Sequence, residues 1–111
     1  LLVSDMSNNE YNHWEQSIDL VKKYPNHILG FITQKTHREI SRIYRFNTKD
    51  YFFMTPGINF DKRTEDDQKF RDPDTIDTDI CIVGRGIYNS EDALVSSDKY
   101  KLASFSSLDK I

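Results

Sequence analysis

The sequence predicts an α/β protein whose strands run parallel, and three observations carry that reading. Short apolar runs recur at residues 1–3, 28–33, 51–54 and 80–83. Each run is continuous rather than alternating, which is the pattern of strands buried on both faces. Helical stretches stand between them, and strand, helix, strand at this spacing means right-handed crossovers feeding a parallel sheet.

Leu1-Leu2-Val3 opens the chain as an apolar strand closed by Ser4-Asp5. With no initiator Met, charged n-region or cleavage-site pattern, it is not a signal peptide. A strand at residue 1 leads us to expect that earlier chain was removed or is supplied separately. Over residues 10–24, Trp14, Ile18 and Val21 fall at i, i+4 and i+7 with Leu20 and Tyr24 beside them, and Pro25-Asn26 stops that helix. The second strand ends in Thr33-Gln34. Residues 36–45 follow as a helix with Ile40, Ile43 and Tyr44 on one side. The basic residues around it (Lys35, Arg38, Arg42, Arg45 and Lys49) read as a solvated face.

The third strand runs into Thr55-Pro56-Gly57. Residues 61–79 are acidic, polar and broken by Pro73, so they read as loop with a short helix near 65–70. A loop as long as residues 59–71 in a compact domain suggests a lid. The fourth strand runs into Gly84-Arg85-Gly86. A last helix starts at Ser90 with Glu91 and Asp92 and carries Ala93, Leu94, Tyr100, Ala103 and Phe105. No repeat, low-complexity segment or linker divides the chain, and residues 1–111 read as a single partial domain.

Composition narrows the function. Fifteen Lys+Arg against eighteen Asp+Glu give a net charge of −3, so no basic field exists to hold nucleic acid or an anionic membrane. The apolar runs are far shorter than the ~20 residues of a spanning helix. One cysteine forbids an internal disulfide, which suits a reducing compartment and makes the cytoplasm the default location. Aromatic content of 13% argues against disorder, whereas 37% hydrophobic content is low for a free-standing core. The isolated chain is therefore expected to be soluble only as an oligomer or in a complex. His13, His27 and His37 are too scattered for metal-ligand spacing, so no metal is expected. Cys81 sits in an apolar run and reads as an inert core residue, Trp14 as core packing, and Glu65-Asp66-Asp67 as solvated surface.

In parallel α/β folds ligands gather at the carboxyl ends of the strands. Gly84-Arg85-Gly86 lies at such an end. Glycines let backbone amides approach an anion, and a guanidinium between them grips a phosphate bidentately. The other reading of these three residues is a tight turn with a solvated arginine. Pro56-Gly57 alone indicates only a turn.

Order and spacing together carry a resemblance. Met54-Thr55-Pro56-Gly57-Ile58, Gln68-Lys69-Phe70-Arg71 and the stretch from Asp79 to Ile87 resemble the carboxyl-terminal part of orotidine 5′-phosphate (OMP) decarboxylase. Gly30-Phe31-Ile32 with Gln34 resembles that family's sixth strand, residues 1–7 its fifth, and Tyr100 with Ala103 and Phe105 its last helix. The resemblance implies strands five to eight of a (β/α)₈ TIM barrel. It implies that Arg85, Gly84 and Gln68 bind the substrate phosphate, while Ser7 and Pro56 lie on the pyrimidine side. Phe70 replaces a phosphate-binding tyrosine, and the loop at residues 8–13 is short. The family's catalytic DxKxxD motif follows its third strand, outside the part that this chain resembles, so the resemblance implies that the chain holds no catalytic residue of its own and should not decarboxylate alone.

The resemblance implies no cofactor, a nucleotide ligand (OMP or UMP) if the barrel is completed, and a partner chain supplying strands one to four. It leaves two expectations: part of the decarboxylase of UMP synthesis, or a non-catalytic domain of that family reused as a structural subunit of a larger assembly.

Overall fold

The computed structural model describes residues 1–6, 12–58 and 77–108, with side chains up to residue 105. Its elements run β1 (Leu2–Val3), α1 (Trp14–Lys23), β2 (Gly30–Ile32), α2 (His37–Tyr44), β3 (Phe52–Thr55), β4 (Ile80–Cys81), α3 (Arg85–Tyr88) and α4 (Ala93–Leu108). The four strands form one sheet in the order β1-β2-β3-β4. β1 pairs with β2, and β2 with β3, in parallel. The predicted parallel α/β arrangement is thus present, with β1 and β4 at the sheet edges. The chain forms two compact units. One holds Leu1–Pro56 with Asp77–Ile80, the other Gly57–Ile76 with Cys81–Ile111.

In the first unit, strand geometry decides which side chains are buried. The register Leu2↔Phe31 and Phe31↔Phe53 puts these three on one face, because alternate residues point the same way. Phe31 and Phe53 are fully buried against Trp14 of α1, at ring separations of 4.8 and 5.7 Å, with Ile18, Val21 and Ile40 completing the core. The opposite face carries Val3, Ile32, Phe52 and Met54. There Val3 is 37% and Phe52 48% exposed, so burial on both faces does not hold. Gly30 fits because β3 passes so close. A Cβ on it would meet the Phe52 carbonyl oxygen and lie 2.8 Å from the Phe52 nitrogen.

Local chemistry sets the helix ends. α1 begins at Trp14, whose amide donates to Asn12 Oδ1 at 3.2 Å. Thr36 caps α2 and forms a reciprocal box with Glu39, and Arg45 closes that helix in the left-handed region at φ 51°. Ile40 of α2 is fully buried but Ile43 is 51% exposed, which corrects the expected apolar side.

In the second unit α4 starts at Ala93, with Asp92 Oδ1 accepting from the amides of Leu94 and Val95. Asp92 performs the capping expected near Ser90. Tyr100 is buried, whereas Leu94 and Phe105 are exposed.

The fourth apolar run is the largest departure. Only Ile80 and Cys81 form strand, Ile80 and Ile82 are exposed, and Cys81 is only partly buried. At the sheet edge one neighbouring strand is missing, so an apolar run there gains less cover than in a central strand. The helix expected near residues 65–70 and the solvated residues Glu65-Asp66-Asp67 lie outside the described residues.

Candidate functional site

In the first unit three successive strand ends are tied together by side chains. Asp5 follows β1 and is buried. Its Oδ2 accepts from Trp14 Nε1 and from Thr33 Oγ1, each at 2.6 Å, and its Oδ1 accepts from the Gln34 amide at 2.5 Å. Gln34 follows β2 and donates through Nε2 to the Pro56 carbonyl at 2.8 Å, in the loop after β3. The hydroxyls of Ser4 and Ser17 add a buried contact at 2.7 Å that seats α1 on the same end. A buried carboxylate with three donors is well satisfied, and such a network fixes loop conformation in a low-dielectric interior. Pro56 is therefore held by hydrogen bonding as well as by its ring, and the next residue, Gly57, takes φ 76°, a conformation open to glycine.

A second network holds the approach to β4. His37 Nε2 contacts Asp79 Oδ2 at 2.7 Å and its Nδ1 contacts Thr48 Oγ1 at 2.8 Å. The imidazole stacks on Phe53 at 3.9 Å, while Asp79 Oδ2 also accepts from the Phe53 amide at 2.8 Å. Thr78 Oγ1 bridges Thr55 Oγ1 and the Phe53 carbonyl at 2.7 and 2.9 Å. The sequence shows His37 only as one of three scattered histidines, and this pairing is not visible there. Its partners lie 11 and 42 residues away, beyond the reach of local spacing.

In the second unit the glycine–arginine pair opens a single helical turn. The Gly84 carbonyl accepts from the amides of Ile87 and Tyr88 at 2.9 and 3.1 Å, and Asn89 N donates to the Arg85 carbonyl at 3.1 Å. Arg85 is thus the first residue of α3 itself, not of a loop ahead of a later helix. Gly84 and Arg85 are exposed, whereas Gly86 is buried. Gly86 and Gly84 therefore serve different ends, since only Gly84 presents its backbone to the surface.

Burial pushes the Cys81 thiol above its ordinary pKa, which disfavours the thiolate. Among the described residues no group of three or more His, Cys, Asp or Glu is placed to hold a metal ion. No helix among them is long and apolar enough to cross a membrane. Of the residues singled out from the sequence, Pro56 belongs to the first unit and Gly84 and Arg85 to the second. Ser7, Gln68 and Phe70 lie outside the described residues.

The parallel pairing of β1, β2 and β3 with helices between them defines an α/β protein. Residues 2–100 match the family described as orotidine 5′-phosphate decarboxylase / HUMPS, and the chain belongs to that family. It is 28% identical over 90 residues to the orotidine 5′-phosphate decarboxylase of Passalora fulva, covering 77% of this chain and 32% of that protein. It is 28% identical over 111 residues to the enzyme of that name from Yarrowia lipolytica, covering 96% of this chain and 36% of that one. For the Rhizopus oryzae protein of the same name the figures are 26% over 113 residues, 93% and 40%. The chain thus spans roughly a third of the length of the curated relatives it matches.

Proposed function

We propose that this chain is the carboxyl-terminal part of an OMP decarboxylase, corresponding to strands five to eight of a (β/α)₈ barrel. In that role it supplies the phosphate-binding side of the nucleotide site. The observation that carries the reading is the Gly84–Arg85 turn, two residues beyond the end of β4, in a chain whose family match spans it. An exposed guanidinium at the start of a tight turn suits bidentate binding of a phosphate dianion. The family resemblance assigns Gln68 to that phosphate, and Ser7 and Pro56 to the pyrimidine side.

The reaction served is OMP to UMP and CO₂. Its proton donor and its ground-state carboxylates, in the DxKxxD arrangement that follows the family's third strand, come from outside strands five to eight; the one string of that pattern here, residues 67–72, lies between β3 and β4 in the sequence. The chain's own contribution is binding energy at the non-reacting end of the substrate, which holds the pyrimidine in register with groups supplied elsewhere.

Titration of the assembled protein with UMP and with uridine tests this. Arg85→Ala should weaken UMP about 10- to 100-fold and leave uridine unchanged, since a hydrogen bond to a charged group contributes about 1.5–3 kcal/mol. Unaltered UMP affinity in that variant overturns the reading.

A further inference from the structure

Gly86 is buried, and Tyr100 stands closest to where its side chain would be. A Cβ built on it would lie well inside contact with Tyr100 Oη, 2.9 Å from Cζ and 3.2 Å from Cε2. Tyr100 is only 6% exposed and rises from the middle of α4, so its ring end stands directly on the backbone of α3. α3 has one turn, too short to hold its own conformation, because nucleating a helix fixes several dihedrals for one hydrogen bond. Its orientation has to come from outside. The tyrosine seated on Gly86 provides that, one residue from Arg85.

We infer that Tyr100 is a positioning residue: its phenol ring, docked on Gly86, fixes the α3 turn and through it the direction in which Arg85 is offered to an anionic ligand. The inference rests on the reading of Arg85 as a phosphate ligand. It assigns Gly86 a steric task, to be bare so that a phenol can rest on it. No backbone contact from Gly86 to ligand is required. A methyl group at residue 86 must lift the turn away from Tyr100 or push the ring aside, and the guanidinium then loses the alignment that bidentate binding requires.

The test compares UMP and uridine affinities in the assembled protein for Gly86→Ala, Tyr100→Leu, Tyr100→Phe and the double variant Gly86→Ala/Tyr100→Phe. Gly86→Ala and Tyr100→Leu should each weaken UMP at least tenfold while uridine changes less than twofold. Tyr100→Phe alone keeps the ring and should change UMP less than threefold. Combined with Gly86→Ala it removes the nearest clashing atom, so it should recover part of the lost UMP affinity. Equal loss of UMP and uridine means that Tyr100 only supports folding and overturns the inference, as does an unchanged ratio of the two. Should Gly86→Ala fail to fold, the contrast between Tyr100→Leu and Tyr100→Phe decides by the same ratio. Arg85→Ala separates the two levels: if it leaves UMP binding intact, the phosphate reading itself fails. If it abolishes UMP binding while Tyr100→Leu is silent, only the positioning role fails.

Discussion

The indole nitrogen of Trp14 donates to the carboxylate of Asp5 at 2.6 Å, with both residues buried. This one bond joins the first turn of α1 to the end of β1, and the same carboxylate reaches the end of β2 through Thr33 and Gln34. Asp5→Ala should cost about 3 kcal/mol or more, because three buried donors lose their acceptor together. Trp14→Phe keeps an aromatic ring but removes the donor and should cost at least ~2 kcal/mol. Equilibrium urea denaturation measures both, and losses below about 0.5 kcal/mol would mean that the network does not hold the fold.

Gly30→Ala should be severe, since its Cβ falls on the backbone of Phe52 and no flexible side chain can yield. Overpacking of this kind costs about 1–3 kcal/mol, and here it strikes the central β2–β3 pair. Gly84→Ala is the matched control. Its Cβ would meet only the Tyr88 ring at an ordinary 3.5 Å, so the thermal midpoint should move little. Similar shifts in the two variants would contradict the crowding at Gly30.

His37→Phe should preserve the stack on Phe53 and remove the bonds to Thr48 and Asp79. About 1–2 kcal/mol of stability should be lost. The backbone amides of Phe53 and Asp79 should exchange with deuterium faster than in the parent, because Asp79 N bonds to the Phe53 carbonyl and Phe53 N to the Asp79 carboxylate. Unchanged exchange there would show that β4 is docked without the imidazole.

With its thiol pKa raised by burial, Cys81 should alkylate more slowly near pH 8 than cysteine in an unfolded peptide. The folded state holds this proton more tightly than the unfolded chain does. The associated stabilisation is therefore complete below the unfolded value of about 8.5 and disappears as pH rises through the higher folded value. Relative to Cys81→Ala, the parent protein should lose stability as the medium is made more alkaline. The opposite trend would argue against burial as the cause of the shift.

Much of the architecture was legible because it depends on local pattern. Trp14, Ile18 and Val21 recur at helical spacing and all three are buried. Pro25 follows α1 closely, and strand–helix alternation implied the parallel pairing seen for β1, β2 and β3. What escaped depends on distance along the chain or on edge position. Ile80 and Ile82 look like core residues by composition, yet burial at a sheet edge is decided by whichever strand lies beside it. Gln34 is one polar residue after a strand until its amide and its side chain are seen to reach Asp5 and Pro56. Gly84-Arg85-Gly86 drew attention as a unit, but only the neighbouring Tyr100 separates the tasks of its two glycines.

The chain has a single tryptophan, wholly enclosed beside Phe31, Phe53 and the Asp5 carboxylate in the first compact unit. The protein thus carries its own optical reporter, and that reporter is selective. Indole emission will register loosening of the first unit through a red shift as water arrives, whereas α3 and α4 carry only tyrosines and a phenylalanine and have no indole of their own. Tryptophan fluorescence and far-ultraviolet circular dichroism, followed through one denaturation, can therefore time the two units separately with no label introduced.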